Sequence, residues 1–215
     1  IFSIGYGITW NGSKWLAVGE GTYKIAYSYN GINWFGVEDT IFTKVYHVTG
    51  NEDMLIAVGQ GTSYSIAYSY DGIEWEGVNN SINIFSKANG VAYNGFTWVA
   101  VGQGSYTIAY SYDGINWYGV EDSSTNIFTE YGNKIIWDEN FWFAIGKETH
   151  NIAYSANGIN WVGISGSNIF FEEGRGIASN LGIPDISMNT IILNENNDGS
   201  DNILEIVNDN FFNQG

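Results

Sequence analysis

Residues 66–78 read Ile-Ala-Tyr-Ser-Tyr-Asp-Gly-Ile-Glu-Trp-Glu-Gly-Val, and three close copies of this run stand at residues 25–37, 108–120 and 152–164. The copies begin 41, 42 and 44 residues apart. A second run, Ala-Val-Gly-Gln-Gly in its commonest form, lies upstream of each copy. Self-similarity at a period of about 40 residues is the signature of a fold that stacks one supersecondary unit per repeat. The sequence therefore predicts a repeat protein.

Each repeat predicts four short strands. Runs rich in Val, Ile, Tyr and Trp alternate with Asn-Gly or Asp-Gly pairs, which supply the positive φ of tight hairpin turns. In the first repeat the strands are expected near Ile4–Trp10, Lys14–Gly19, Lys24–Tyr29 and Ile32–Val37, and helical periodicity is absent. Four antiparallel strands in about 40–45 residues are typical of one blade of a β-propeller.

The number of blades depends on how the last 45 residues are interpreted. A third marker, Ile-Phe, falls at residues 1–2, 41–42, 84–85, 127–128 and 169–170, and Phe211-Phe212 follows the last of these by 42 residues. The expected fold class is therefore all-β, a five-bladed β-propeller of four-stranded antiparallel blades in a single domain, 1–215, with a ring expected to close where Ile1–Phe2 meets the segment around Phe211. The expected blades are 1–41, 42–84, 85–127, 128–169 and a degenerate 170–215.

The alternative is four blades followed by the start of a C-terminal β domain. It is favoured by the last 45 residues because neither Trp nor the repeated Ala-Val-Gly-x-Gly run occurs after Trp161.

Composition excludes several classes of partner. The chain has 23 acidic and 7 basic residues, a net charge of −16, so it opposes nucleic acid and anionic membrane surfaces. It has no cysteine, which excludes disulfides and thiolate sites. No apolar run is long enough to insert in a bilayer. The start at Ile1, without Met, predicts a fragment or processed product.

The repeated turn resembles a known motif. The run from Ser69 to Trp75 and the run from Ser111 to Trp117 resemble a shortened Asp-box, the turn of sialidase-type (BNR) propellers, and residues 28–34 and 155–161 match it with Asn in place of Asp. The whole repeat is most similar to tandem repeat proteins of giant and algal DNA viruses. The resemblance covers residues 1–170 and implies a propeller whose turns join the third and fourth strands, away from the catalytic face.

These turn residues are predicted to be structural. An Asp or Asn side chain accepts hydrogen bonds from the following backbone N–H groups, Gly supplies a positive φ, and Trp packs beneath the hairpin. The prediction covers Asn30, Gly31, Trp34, Asp71, Gly72, Trp75, Asp113, Gly114, Trp117, Asn157, Gly158 and Trp161.

Catalysis and metal binding find little support in the sequence. Sialidases bind their substrate through three arginines, whereas this chain has only Arg175. His47 and His150 lie at unequal repeat positions without a recognisable acid or serine partner. Residues 194–202 are rich in oxygen ligands but lack EF-hand spacing. The sequence therefore predicts no enzyme, no catalytic residue, no metal and no cofactor.

The loops between the second and third strands are the candidate ligand site. Their glycines admit a ligand to the backbone, their Gln, Thr and Ser side chains match hydroxyl groups, and Tyr offers a flat face, which together suit a neutral sugar. Ordinary polar hairpin loops are the alternative. The candidate ligand residues are Glu20, Thr22, Tyr23, Gln60, Thr62, Tyr64, Gln103, Ser105, Tyr106 and His150.

The function expected from these features is a non-enzymatic, multivalent binding or structural module, virion-associated or serving attachment. The alternative is a lectin that binds neutral glycans at the repeated loops. The expected partner is thus a neutral glycan or a viral or host surface protein, with neither nucleic acid nor membrane insertion.

Overall fold

A computed structural model describes residues 1–38, 41–170, 173–179, 188–195 and 201–207. Each of the first four repeats forms one four-stranded antiparallel sheet whose strands lie side by side in chain order. Blade 1 consists of β1 (Phe2–Trp10), β2 (Trp15–Gly21), β3 (Ile25–Ser28) and β4 (Phe35–Gly36).

The later strands repeat this plan. Blade 2 holds β5 (Lys44–Gly50), β6 (Leu55–Gln60), β7 (Ile66–Ser69) and β8 (Glu76–Gly77). Blade 3 holds β9 (Phe85–Tyr93), β10 (Trp98–Gly104), β11 (Ile108–Ser111) and β12 (Trp117–Gly119). Blade 4 holds β13 (Tyr131–Trp137), β14 (Trp142–Lys147), β15 (Ile152–Ser155) and β16 (Val162–Gly163). A three-stranded antiparallel sheet follows, with β17 (Gly176–Ser179), β18 (Met188–Glu195) and β19 (Asp201–Val207).

The all-β fold with four-stranded antiparallel blades is confirmed. The described residues hold four complete blades, which supports the alternative of four blades followed by further β structure rather than five equal blades. The predicted closure at Phe211 and most of the oxygen-rich run 194–202 lie outside the described residues.

Short helical turns link successive blades, where the sequence predicted almost no helix. They are α1 (Ser81–Ile84), a π-helical turn (Ser123–Ile127) and α2 (Ser167–Phe170). In each turn a buried serine accepts a hydrogen bond from the backbone N–H that precedes the third strand; the Ser81 Oγ, for example, lies 3.1 Å from the Ser65 nitrogen. None of the helices in the described ranges is long and apolar enough to cross a membrane.

The core lies between neighbouring blades. Alternate residues of a strand point to opposite faces of its sheet, so in blade 2 Ile56 packs towards blade 3 whereas the adjacent Ala57 packs towards blade 1. We call the face that packs on the preceding blade the leading face and the one that packs on the following blade the trailing face. The trailing faces carry one aliphatic pattern: Leu16, Val18, Ile25 and Val37; Ile56, Val58, Ile66 and Val78; Val99, Val101, Ile108 and Val120.

The Ser-x-Asp-Gly turns are held by local hydrogen bonds. The Asp71 Oδ1 accepts bonds from the backbone N–H groups of Ile73 and Glu74, each at 2.8 Å, and the Ser69 Oγ accepts one from the Gly72 N–H at 2.7 Å. Gly72 has a φ of 72°, and a Cβ there would lie 2.9 Å from a methyl group of Leu16 in blade 1. The turn therefore needs glycine for both its backbone conformation and its contact with the neighbouring blade.

Candidate functional site

The predicted ligand loops lie at one end of the blades, with the starts of the inner strands. The first strands of successive blades pack on one another, β1 on β5, β5 on β9 and β9 on β13. They are therefore the inner strands of the propeller. Strand register pairs Gln60 with Lys44 and Gln103 with Lys87. The second-to-third-strand loops and the first residues of the inner strands therefore form a common surface, which we call the loop face. The Ser-x-Asp-Gly turns lie at the other end of the third strands.

Each loop is tied to the Ile-Phe marker that precedes its blade. The backbone N–H of Tyr23 donates to the Ile1 carbonyl at 3.2 Å, and Tyr106 and His150 make the equivalent bonds. The residue after each of the first four markers is Ser or Thr, and in blades 1 to 3 its hydroxyl donates to the carbonyl at the end of the second strand. The donors are Ser3, Thr43 and Ser86, and the acceptors are Glu20, Gln60 and Gln103, at 2.9, 2.8 and 3.0 Å. The marker thus fixes the loop conformation, a role that the sequence reading did not assign.

The aromatic members of the predicted site pack on glycines of the fourth strand. A Cβ added to Gly77 would lie 2.5 Å from the ring of Tyr64, and the same arrangement recurs in every described blade. One face of each ring is therefore covered by backbone, and each ring is half-buried. The pairs are Tyr23 on Gly36, Tyr64 on Gly77, Tyr106 on Gly119 and His150 on Gly163.

The polar members of the predicted site remain accessible. Thr22, Thr62, Gln60, Gln103 and Ser105 are exposed. Glu20 is half-buried because it forms an ion pair with another residue, as described next. The structure thus brings the polar groups to one surface and uses the rings mainly as packing groups beneath it.

A chain of polar and aromatic contacts crosses blades 1 to 3 on the loop face. The Glu20 carboxylate lies 2.5 Å from the Lys44 Nζ of the next blade. The rings of Tyr6 and Tyr46 lie 5.3 Å apart, and the Lys87 Nζ lies 4.6 Å from the Tyr46 ring centre. The Tyr46 hydroxyl donates to the Gln60 Oε1 at 3.4 Å, which links these contacts to a predicted ligand residue.

A second group lies where blade 4 meets the C-terminal sheet. The Lys147 Nζ lies 2.8 Å from the Glu130 carboxylate. The Tyr131 hydroxyl donates to Glu173, which also pairs with Arg175. Burial and this hydrogen bond raise the pKa of Tyr131, whereas the same bond and Arg175 lower the pKa of Glu173 against the effect of burial. The tyrosine is therefore a neutral donor and the glutamate an ionised acceptor at neutral pH.

Burial and neighbouring charges shift the pKa values of several residues on the inner strands. The hydrogen bond that Lys44 donates to the Glu20 carboxylate raises the pKa of Lys44, and burial raises the pKa of Tyr46. Burial, helped by the charge of Lys134, lowers the pKa of His47 to about 4, although a backbone hydrogen bond at Val91 opposes the shift. At neutral pH the inner strands therefore carry ammonium groups, phenols and a neutral imidazole. In the described part of the chain no three His, Asp or Glu residues are grouped to hold a metal ion.

Sequence reasoning missed the basic residues of this region. Five of the seven Lys and Arg residues lie on inner strands or beside them, in a chain whose net charge is −16. A signal was present, because Lys44 and Lys87 both stand three residues after an Ile of the Ile-Phe marker and hence at the same repeat position. The five residues are Lys44, Lys87, Lys134, Lys147 and Arg175.

No protein-family model and no curated protein matches the chain. Its structure is similar to solved β-propellers. A nidogen–laminin complex matches with a TM-score of 0.65 and 10% identity, over 89% of this chain and 72% of that chain. An ancestral GH74 enzyme matches with a TM-score of 0.66 and 16% identity, over 95% of this chain but only 31% of that chain. Virginiamycin B lyase from Staphylococcus aureus matches with a TM-score of 0.65 and 13% identity, over 94% and 70%.

These likenesses show the propeller fold, and they overturn the prediction that the protein is not an enzyme. Two of the three neighbours are enzymes. That prediction was wrong because it depended on the spacing of residues within a repeat, whereas one fold hosts many activities. Groups from different blades also meet on a propeller face without any fixed spacing in the sequence. At 13% and 16% identity, neither neighbour's activity carries over to this chain.

Proposed function

We propose that the protein is a multivalent binding module that recognises a neutral glycan on the loop face. The observation that carries this proposal is that blades 2 and 3 expose matching polar groups there. Gln60 and Gln103 occupy the same register position, and each is followed by Gly and a hydroxyl residue, Thr62 or Ser105. Amide and hydroxyl groups on exposed backbone turns match the alternating donors and acceptors of a sugar.

Charge neutralisation on the face favours a neutral ligand. Lys44, Lys147 and Arg175 are each paired with a carboxylate, so they contribute little net charge. Lys87 lies against the Tyr46 ring. The rest of the chain is strongly acidic and would repel an anionic glycan at low ionic strength.

Repetition supports multivalency with unequal sites. Blades 2 and 3 carry nearly the same loop, whereas blade 1 has Glu20 and blade 4 has Lys147 at the position of the glutamines. Two similar sites on one rigid body raise the overall affinity for a branched or clustered ligand without any new contact.

The resemblance to Asp-box propellers and viral repeat proteins belongs to this proposal. The hydrogen bonds that Asp71 accepts from the Ile73 and Glu74 N–H groups support the likeness to an Asp-box turn. The likeness to repeats of giant and algal DNA viruses supports a virion-associated or attachment role. In that setting the ligand is a host surface glycan, or a surface protein if the module is structural.

Titration with neutral and acidic oligosaccharides tests the proposal. The double variant Gln60→Ala/Gln103→Ala should lower avidity for neutral glycans at least 10-fold and leave the melting temperature unchanged. The matched control Asn33→Ala, an exposed amide at the opposite end of blade 1, should bind as the parent protein does. Binding restricted to acidic glycans, or an unchanged double variant, would remove the glycan proposal. Co-purification with capsid or fibre proteins without glycan binding would favour the structural role.

A further inference from the structure

A cavity lies at the junction between blades 2 and 3, beside their fourth, outermost strands. Its volume is about 400 Å³, which is within the range of small-molecule sites. One wall is the trailing face of blade 2, where Tyr68 and Glu76 pair in register. The other wall is the third-to-fourth-strand hairpin of blade 3, which includes the buried Trp117. Of the predicted ligand residues only Tyr106 lines this cavity, so it is a separate place from the loop face.

Glu76 puts a carboxylate where the other blades carry an aromatic or aliphatic side chain. The residues at the same register position are Phe35, Tyr118 and Val162. The Tyr68 hydroxyl donates to the Glu76 Oε2 at 2.5 Å, and this bond raises the pKa of Tyr68 to about 12. The phenol is therefore a neutral donor that holds the exposed carboxylate in place, and the second carboxylate oxygen is available to accept from a ligand.

The turn that closes the cavity is neutral, whereas its equivalents on either side are acidic. Residues 79–80 are Asn-Asn, while the same positions are Glu-Asp at 38–39 and 121–122 and Ser-Gly after blade 4. The backbone does not require this change, because Asn80 and Asp122 share a left-handed conformation, with φ of 63° and 60°. Amides both donate and accept hydrogen bonds, as a sugar does. The exposed amides that line the cavity are Asn79, Asn80, Asn83 and Asn116.

The charge of the cavity favours a cationic ligand. Neither Lys nor Arg is among the described residues that line it, so Glu76 has no cationic partner in the lining. A smaller cavity of about 160 Å³ shares Tyr68 and Glu76 and adds Asp71 and Glu74 near the same carboxylate. Together with a net charge of −16 on the chain, these groups attract cations.

The rest of the lining fits a hydroxylated ring. The Trp117 Nε1 donates to the Gly114 carbonyl at 2.9 Å, so the indole offers a ligand only apolar surface. The Asn116 Nδ2 donates to the Asp113 Oδ2 at 2.7 Å, which leaves its Oδ1 to accept from a hydroxyl group. A lysine side chain would use the carboxylate but not the amides. Further apolar lining comes from Val78, Ile84 and Ile115.

We propose that the cavity between blades 2 and 3 binds an unacetylated amino sugar. The ammonium group of the sugar pairs with the Glu76 carboxylate, its hydroxyl groups bond to the asparagine amides, and its ring lies against the apolar lining. An N-acetylated sugar lacks the ammonium and leaves the carboxylate without a charged partner. This site does not depend on the neutral-glycan proposal, because it uses other residues and the opposite charge preference.

Calorimetric titration with a glucosamine disaccharide tests the proposal, with the N-acetylated disaccharide as comparison. The parent protein should bind the amino form about 10-fold more tightly, since hydrogen bonds to charged groups are the stronger ones. Glu76→Gln should remove this preference at an unchanged melting temperature. Glu121→Gln is the matched control, because it removes an exposed carboxylate at the next junction, and it should bind as the parent does. Equal losses in the two variants, or equal affinities for the two sugars, would overturn the proposal.

A second comparison separates a sugar site from a site for amines in general. Asn79→Ala/Asn83→Ala should weaken binding of the amino disaccharide about 5-fold, because neutral hydrogen bonds are lost. Cadaverine, which has two ammonium groups but no hydroxyl, should bind the parent more weakly than the disaccharide does. An unchanged double variant, or equally tight binding of cadaverine, would overturn the proposal. Gln60→Ala/Gln103→Ala should keep full affinity for the amino sugar, and a loss there would place the site on the loop face instead and overturn the proposal.

Discussion

Blade 1 and blade 3 have nearly the same sequence pattern, yet the described residues cover both faces of blade 3 and only one face of blade 1. The second strands of the two blades read Trp-Leu-Ala-Val-Gly-Glu-Gly and Trp-Val-Ala-Val-Gly-Gln-Gly. Trp98 is buried while Trp15 is exposed, because blade 2 packs on the leading face of blade 3 and no described residue of the chain takes that place on blade 1. A repeat therefore determines its own sheet but depends on its neighbours for its burial.

The comparison also predicts which side chains contribute most to the free energy of unfolding. Nearly all large buried side chains lie between blades, so equivalent residues in different blades differ in stability according to their neighbours. Matched substitutions at one repeat position measure this difference directly.

The largest effect is expected for a buried charge. Val91→Asp places a carboxylate between blades 2 and 3 without a partner and should destabilise the protein by more than about 4 kcal/mol or prevent folding. The equivalent change in blade 1, Ile8→Asp, should cost less than about 1 kcal/mol in the monomer. Urea unfolding of both variants checks this. Similar losses at the two positions would mean that Ile8 is covered in solution.

The tryptophans at the start of the second strand should differ next. Trp98→Ala removes a buried ring that stacks on Tyr93 at 4.1 Å and should cost about 3–5 kcal/mol. Trp15→Ala removes a ring that is partly solvated and should cost about 1–2 kcal/mol. Differential scanning calorimetry of the two variants gives the comparison. An equal drop in melting temperature would contradict the assignment of an open face.

The turn glycines extend the comparison to the far end of the blades. Gly31 and Gly72 both have positive φ, 73° and 72°, so a valine is strained at either position by about 1–3 kcal/mol. A Cβ on Gly72 also meets Leu16 of blade 1 at 2.9 Å, whereas a Cβ on Gly31 meets nothing closer than 3.6 Å. Gly72→Val should therefore lose about 1–2 kcal/mol more than Gly31→Val in chemical denaturation. Glycan binding should survive in the folded fraction of both variants, since these turns lie opposite the loop face.

Much of this fold could be predicted from the sequence, because each repeat contains its own strands and turns in a recognisable order. The hairpin turns, the strand count and the blade architecture follow from Asn-Gly and Asp-Gly pairs and from the period. The helical turns did not follow, because Ser81 and its equivalents act through buried hydrogen bonds to another strand. The exposure of Ile8 did not follow either, since a repeat pattern carries no information about which residues cover the leading face of blade 1.

The candidate site was only partly predictable. The exposed amides and hydroxyls of the loops were found because they recur at one repeat position. The cover on Tyr64 was missed, because it depends on Gly77 of another strand, thirteen residues further along the chain. The contact between Tyr46 and Lys87 was missed for the same reason, since it joins two blades. Contacts between blades depend on how neighbouring sheets are oriented, and the sequence pattern within one repeat does not determine that orientation.

The smallest effect expected is a pH dependence that blade 1 cannot share. His47 of blade 2 stands at the register position held by Gly7 in blade 1. Its pKa is about 4 in the folded protein and near 6.5 in the unfolded chain, so the unfolded state binds more protons between these values. Stability should therefore fall as the pH drops from 6.5 towards 4, while above 6.5 His47 contributes no pH dependence.

The His47→Gln variant isolates this contribution. Between pH 7 and pH 5 the parent protein should lose about 1–2 kcal/mol more than the variant, because glutamine does not titrate. Asp71 and Asp113 interfere little in this pH range. Burial raises the pKa of both carboxyls, but the hydrogen bonds that they accept lower it by more. Both carboxyls therefore take up protons only at lower pH. Urea titrations at the two pH values measure the difference. Equal losses in the two proteins would show that the imidazole of His47 is solvated like that of the unfolded chain, and that the inner strands are more open than their packing indicates.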